Sequence, residues 1–576
     1  MPGTSKKSLT ISIVLGSLMG ILLSMGNVYA GLKIGFTTDG SLVAAIVAVV
    51  LLRSIGKIIP SSFSPHHTNL VQTTASAGAF CAVAGLTNAV PAMMLDGVNI
   101  NPLKLIPWVF FVALLGVCIS ASLRYGAIEA QNLRFPSGVV CAETIKIFHA
   151  GGNEARKGAI ALGCSAGFAS IITWLRDTAI QIIPSKTTLP GKIGAFSMEK
   201  LSLGIAWSPL LLAIGGIIGL RTAISLFIGS ILGWVIGGPL LAFYGLINPE
   251  AKRAIISWTI WPSIGLITAG GLIPILFDMS MYKRAFQIFK REKNDTFISN
   301  SPEQQKSIPL TWWGGGILFG IIGCAITAWI AFSVPVWQSL IAIILSFPIA
   351  IVAIRAVGET DMSPSNNLAK IVQFVFAAIA PGKTVPNVAA AGIASGCAIE
   401  ASEVMTDYKA GAILKNKPYH QFLAQVSGIL IASGAAVAAF TVLSASIQIG
   451  SESFPAPTAI AWHALATGLA GGKESIPQGA SMGAWLAVCA GAILGVVSKK
   501  WKFIPFPSPV AIGLGMIFPA CYSITILSGA IFAKIVSRLS QNWWEQYQYL
   551  LTSGLIVGES LTGILVAFTS IILGHQ

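Results

Sequence analysis

The chain has 576 residues, of which 54% are hydrophobic and only 10% charged, and its mean hydropathy is +0.77. A soluble globular surface needs about 25% charge, so a water-soluble enzyme or scaffold of this length is excluded and a polytopic membrane protein is implied. The formal net charge of +15 then reports Lys and Arg held in cytoplasmic loops rather than nucleic-acid binding.

A spanning helix needs about 20 mostly apolar residues. In chain order the first half offers eight such runs: 9–29, 37–59, 69–95, 105–125, 158–184, 201–220, 223–247 and 255–282. The first run carries NVYAGLKIG, residues 27–35. Val28-Tyr29-Ala30 has the small residues of a signal-peptidase cut, behind the basic Lys6 and Lys7. The competing reading sets Asn27, Tyr29 and Lys33 as polar groups inside a retained first helix. Later comes FPSGVVCAE, 135–143, a short non-spanning piece opened by Pro136, with Glu143 expected near the inner end of a dipping half-helix. In the run 158–184, Arg176 and Asp177 are neighbours, so a helix points them to different faces and toward separate partners.

The polar stretch 283–306 is the one linker that reads as a soluble loop. It divides the chain into a first transmembrane repeat, 1–282, a cytoplasmic linker, 283–311, and a second repeat, 312–576. The second half has runs at 312–332, 336–356, 367–380, 385–404, 421–447, 455–498 as one broken unit, 505–535 and 549–573. The expected fold is an all-α polytopic membrane protein. It has about 16 transmembrane helices in two parallel eight-helix repeats, with broken or re-entrant half-helices.

Charge supports this frame. With the N-terminus inside, first-half cytoplasmic loops hold most of the cations, from Lys6 and Lys7 through Arg53, Lys57 and Arg124 to Lys283–Lys306. Outside loops hold only Lys104, Lys186, Lys192, Lys200, Lys252 and Arg253. In the second half Arg355, Lys370, Lys409, Lys415, Lys417, Lys499, Lys500 and Lys502 fall inside, while Lys383, Lys534 and Arg538 fall outside. Both termini are therefore placed in the cytoplasm. Duplication is visible too: SLVAAIVAVVLLRSIGK with SPHHTNLVQ resembles SLIAIILSFPIAIVAIR with SPSNNLAKIVQ, and Glu143-TIKIFHAG resembles Glu403-VMTDYKAG. Repeats of eight helices are parallel, as in transporters.

Ionisable groups at mid-membrane are costly and mark cavities or partners. The strongest cluster is GCAIEASEVMTDYKAG, 396–411. Glu400, Glu403 and Asp407 stand at i, i+3 and i+7, one stripe of a helix. Close carboxylates cannot all stay ionised, so one holds a proton near neutral pH, which suits a proton-coupled carrier or the binding of an amine. The structural alternative is a solvated helix end balanced by Lys409, Lys415 and Lys417. Glu359, in GETD beside Asn366 and Asn367, reads either as a site or as an ordinary loop. His463 reads as a core histidine, and Glu559, the one acid in the last helix, has an open role. GLAGGKES lacks P-loop spacing, no H-E-x-x-H or G-x-S-x-G occurs, and the eight cysteines (Cys81, Cys118, Cys141, Cys164, Cys324, Cys397, Cys489 and Cys521) form no C-x-x-C pair. No catalytic residue, metal site or cofactor is implied.

Several of these segments, taken in order, resemble the oligopeptide transporter (OPT) superfamily, specifically its bacterial members, related to yellow stripe-like metal-chelate transporters. They are NVYAGLKIGFTTDGSLVAAI, NLVQTTASAGAFCAVAGLTNAVPA, LRFPSGVVCAE, GETDMSPSNNLAKIVQF, ASEVMTDYKAG and SGLIVGESLTGILVA. The resemblance runs from about residue 9 to 573 and implies uptake of peptides, glutathione-like molecules or metal chelates driven by the proton gradient. It also implies that the NVYAGLKIG stretch is retained. Ala79-Phe80 and Ser137 depart from the family's polar or acidic residues, which leaves the substrate class open.

The expected activity is thus a secondary active, proton-coupled importer of small peptides or peptide-like compounds in the cell membrane, the inner membrane if the cell is Gram-negative. Import of siderophore-like metal chelates is the alternative; a passive channel or membrane enzyme is remote. The expected substrate-binding residues are Asn27, Tyr29, Lys33, Asn69, Gln72, Glu400 and Glu403, with the amine near Glu400, Glu403 and Asp407 and the carboxylate near Lys33. Proton coupling falls to Glu403, Asp407, Glu143 and Glu359. The expected partners are lipid, protons and the cargo, not nucleic acid; a homodimer is compatible with the sequence.

Overall fold

Proline and a short polar residue punctuate this chain, and helices begin where they stand. Proline fits the first turn, where its missing N–H costs nothing, and a Ser or Asn before it caps the free amides. Ser64, Asn101, Ser208 and Ser508 each accept a backbone N–H, from His67, Leu103, Leu211 and Ala511. The computed structural model describes residues 6–35, 41, 44, 45, 47–49, 52, 64–81, 83, 85–150, 153–178, 182–250, 254–276, 308–360, 363–451, 454–471, 477–500 and 507–573. The linker 283–306 and most of the predicted run 37–59 lie outside these residues.

In chain order the helices are α1 Lys6–Ile34, α2 Pro65–Phe80, α3 Val90–Leu95, α4 Pro102–Arg124, α5 Pro136–Ala150, α6 Asn153–Asp177, α7 Pro209–Ser230, α8 Gly238–Phe243 and α9 Ala254–Leu276. The second half gives α10 Leu310–Phe332, α11 Val336–Thr360, α12 Ser365–Ile379, α13 Thr384–Ile413, α14 Pro418–Ser446, α15 Pro457–Gly471, α16 Ala480–Lys500, α17 Pro509–Ile517, α18 Ala520–Leu539 and α19 Gln541–Leu573. Short π-helical turns bridge α2 toward α3, extend α4, and join α7 to α8. Among the described residues, twelve helical runs are long and apolar enough to cross a membrane. The protein is an all-α, multi-pass membrane protein.

Three predicted boundaries differ. The runs 201–220 and 223–247 are one run, Pro209–Phe243, broken at Gly219, whose φ of 77° only glycine adopts freely. Residues just before it form strands instead: β1 Lys186–Thr188 pairs antiparallel with β4 Gly204–Ala206, and β2 Lys192–Ile193 with β3 Phe196–Ser197. The run 505–535 splits into α17 and α18 at Phe518-Pro519, because proline cannot continue a helix. The short piece opened by Pro136 is helix α5, fifteen residues long and running on past Glu143 to Ala150.

The outward faces are apolar: Leu18, Phe168, Ile171, Phe319, Trp485 and Phe532 are all exposed, as lipid contact requires. Inside, α13 is the axis, and 24 of its 30 residues are buried. It runs alongside α4 in the same direction. Thr384 bonds Asp96 at one end, Trp108 packs on Gly392, Cys397 donates to the Val112 carbonyl, and Lys409 reaches Asn132 at the other end. Such closeness needs small residues: a Cβ on Gly116 would stand 2.7 Å from the Cys397 carbonyl oxygen. Helix α12 packs antiparallel to α13 on another side, with Asn366 bonded to Ser395 and Asn387 to the Gln373 carbonyl.

Candidate functional site

The stripe on α13 is buried in the protein. Glu400 and Asp407 are each 1% exposed and Glu403 is half-buried, which overturns the solvated-helix-end alternative. Glu400 sits against Gly116 of α4, and neither of its carboxylate oxygens has a hydrogen-bond partner among the described residues. Two turns on, Asp407 accepts from Gln72 Nε2 at 2.5 Å and from the Ser41 hydroxyl at 3.4 Å. Asn69 donates to Gln72 at 3.0 Å and itself accepts from Asn416. Gln421 of α14 donates to the Asp407 carbonyl at 2.9 Å. Asn69, Gln72 and Asp407 thus meet in one buried polar cluster where α2, α13 and α14 converge.

The sequence points to Gln72 and Asp407 separately, and the structure joins them. The sequence gives no direct sign that Ser41, Asn416 or Gln421 join them: single amides and hydroxyls in apolar runs are ordinary until a neighbour is known.

The NVYAGLKIG residues divide. Asn27 donates to the Ala79 carbonyl at 3.0 Å, holding α1 to α2. Tyr29 packs edge-on to Phe454 and lies 3.2 Å from the Lys33 ammonium. Lys33 meets Glu559 at 2.6 Å. This corrects the expectation that Lys33 waits for a substrate carboxylate, because the last helix supplies one. Glu559 is fully buried and also accepts from Arg176, from the Ser208 hydroxyl and from the Leu210 amide. The positive end of α7 and two cations therefore converge on one acid. Arg176, in turn, grips Asp177 through two bonds of 2.5 and 2.6 Å. The adjacent pair was expected to seek separate partners; guanidinium reach and the end of α6 at Asp177 let the two fold back on each other.

Other predicted residues lie apart. Glu143 is exposed on α5 and pairs with Lys146 at 2.8 Å, so it is not at a buried inner end of the half-helix. The Glu359 side chain lies outside the described residues. His463 is not a core histidine; it meets Asp96 at 3.2 Å with both partly exposed. Arg355, Lys370 and Lys409, expected in cytoplasmic loops, are buried on helices. A cavity of about 280 Å³ opens at the Lys409 end, lined by Asn132, Leu133, Arg134 and Gly358. Asn132 and Phe135 beside it hold positive φ, a strain common at functional sites. Among the described residues no His, Cys, Asp or Glu group has metal-binding geometry.

The sequence model described as "OPT oligopeptide transporter protein" matches residues 8–570. The chain belongs to the OPT oligopeptide transporter family. Relatives match over most of their length. A Saccharomyces cerevisiae protein assigned as an oligopeptide transporter, YGL114W, is 21% identical over 97% of this chain and 95% of its own. Metal-nicotianamine transporter YSL2 of Arabidopsis thaliana is 22% identical over 97% and 93%. A Haemophilus influenzae protein assigned as an oligopeptide transporter is 22% identical over 94% and 92%. For this OPT member the family places the buried stripe of α13 in a transporter.

Proposed function

We propose that the protein is a secondary active, proton-coupled importer of small peptides or peptide-like compounds. It would work in the cell membrane with both termini in the cytoplasm, the two halves of the chain acting as repeats. The observation that carries the reading is Glu400: fully buried, without a partner among the described residues, and one turn from Glu403 and two from Asp407. A bare carboxylate so placed costs several kcal/mol, and its neighbours on the stripe add repulsion. A substrate amine neutralises one acid and a proton a second, so the site is satisfied when cargo and proton enter together. Glu400 takes the amine, Glu403 or Asp407 the proton, and Asn69 and Gln72 fix Asp407. Lys33 and Tyr29 belong to the neighbouring clasp on Glu559.

The test is uptake into proteoliposomes of a labelled small-peptide mixture, with and without an inward proton gradient, for wild type, Glu400→Gln and Glu403→Gln. Accumulation against the gradient in wild type is expected to fall at least tenfold in Glu403→Gln, while substrate counterflow survives. Flux that never accumulates in wild type would make the protein a passive channel. A second reading, import of metal chelates, is favoured by the metal-nicotianamine relatives. Competition between a dipeptide and a ferric or nickel chelate for one uptake decides between the cargoes.

A further inference from the structure

Lys370 is a lysine in an unusual place. It is 4% exposed, and its ammonium makes one hydrogen bond, to Asn367 Oδ1 at 3.2 Å. Among the described residues it forms no ion pair, whereas the two other cations buried nearly as deeply, Arg176 and Lys33, each meet an acid. Two of its three N–H donors are thus unspent.

Its helix is equally unusual. At fifteen residues α12 is too short to span a bilayer. Its first turn lies beside Ser395 of α13, eleven residues in from Thr384, or about 17 Å along the axis. The N-terminus of α12 is therefore deep in the protein. No side chain caps it and no acid stands in its first turn, so nothing among the described residues compensates its positive end. Helical side chains lean toward the N-terminus, and the Lys370–Asn367 bond shows this one doing so. Asn366 is already held by Asn88 and Ser395, which fixes the turn. On the facing α15, whose Trp462 carbonyl accepts from Gln373, the Trp462 indole N–H is buried without a partner. Two kinds of positive charge thus converge at mid-depth with nothing described to neutralise them.

We propose that Lys370 and the N-terminal turn of α12 form a binding site for a carboxylate of the transported molecule. This rests on the importer reading and narrows it: the cargo carries a free acid as well as an amine. A carboxylate is common to a peptide C-terminus and to carboxylate metal chelators, so both cargoes fit the site. It also replaces Lys33, whose ammonium Glu559 already holds.

The test uses purified full-length protein, with binding and transport measured separately. Binding is read as the rise in Tm in detergent with millimolar alanyl-alanine, its C-terminal amide, or a ferric carboxylate chelate. Transport is read as proteoliposome uptake of the same three probes, for wild type, Lys370→Gln and Lys370→Arg. Wild type is expected to prefer an acid probe over the amide at least tenfold. Lys370→Gln should reduce that preference to near one, and Lys370→Arg should retain part of it. Whether the dipeptide or the chelate shows the effect names the source of the acid. The ligand-free Lys370→Gln protein should be as stable as wild type or more so, because an unpaired buried charge has been removed. A Lys370→Gln protein that loses Tm by several degrees would make Lys370 structural and overturn the site. An unchanged preference in Lys370→Gln would also overturn it, while leaving the importer intact. Lys370-dependent binding without uptake would keep the site and end the importer reading.

Discussion

Glu559 is one carboxylate serving two cations, a hydroxyl and a helix amide. Removing its charge leaves Lys33 and Arg176 buried side by side. Breaking a buried pair from one side costs about 3–5 kcal/mol, so Glu559→Gln should lose about that much stability in detergent unfolding. Lys33→Met should lose less, because Arg176 still holds the acid. Equal losses would show that the clasp is not centred on Glu559. The charged residues that matter are all visible in the sequence, because an acid or base in an apolar run stands out. Their pairing is not: Lys33 and Glu559 are separated by 526 positions. Nor does the sequence separate Lys33, which meets an acid, from Lys370, which meets none among the described residues.

At the level of elements, helix existence is legible in apolar runs and proline positions. Breaks are less so, since a π turn or a single glycine with positive φ leaves little trace. Close approach is a second hidden property. A side chain on Gly428 of α14 would run into the Thr74 carbonyl of α2, whereas Gly434, under two turns further on, has open space around it. Gly428→Ala is therefore expected to lower Tm by several degrees or abolish folded yield, and Gly434→Ala to be tolerated. Size-exclusion profile and Tm of the two variants check this, and equal behaviour would remove the backbone contact as a determinant of α2–α14 packing. Both glycines look alike in sequence, because what differs is the helix opposite.

At the scale of the molecule, α4 and α13 run the same way, so the loop before α4 and the loop after α13 lie at opposite ends. The cation bias puts the first outside and the second, with Lys415 and Lys417, inside. Leu103 is 75% exposed at the first end, and Lys417 is exposed at the second. Of the native cysteines, only Cys164 and Cys489 are exposed, so replacing both with alanine gives a quiet background. In that background Leu103→Cys should react with a membrane-impermeant maleimide in intact cells, and Lys417→Cys only after permeabilisation. The reverse pattern would invert the protein and turn the proposed importer geometry to face the other way. Labelling of both from one side would contradict the shared direction of α4 and α13, and with it the mid-membrane depth of Glu400 and Lys370.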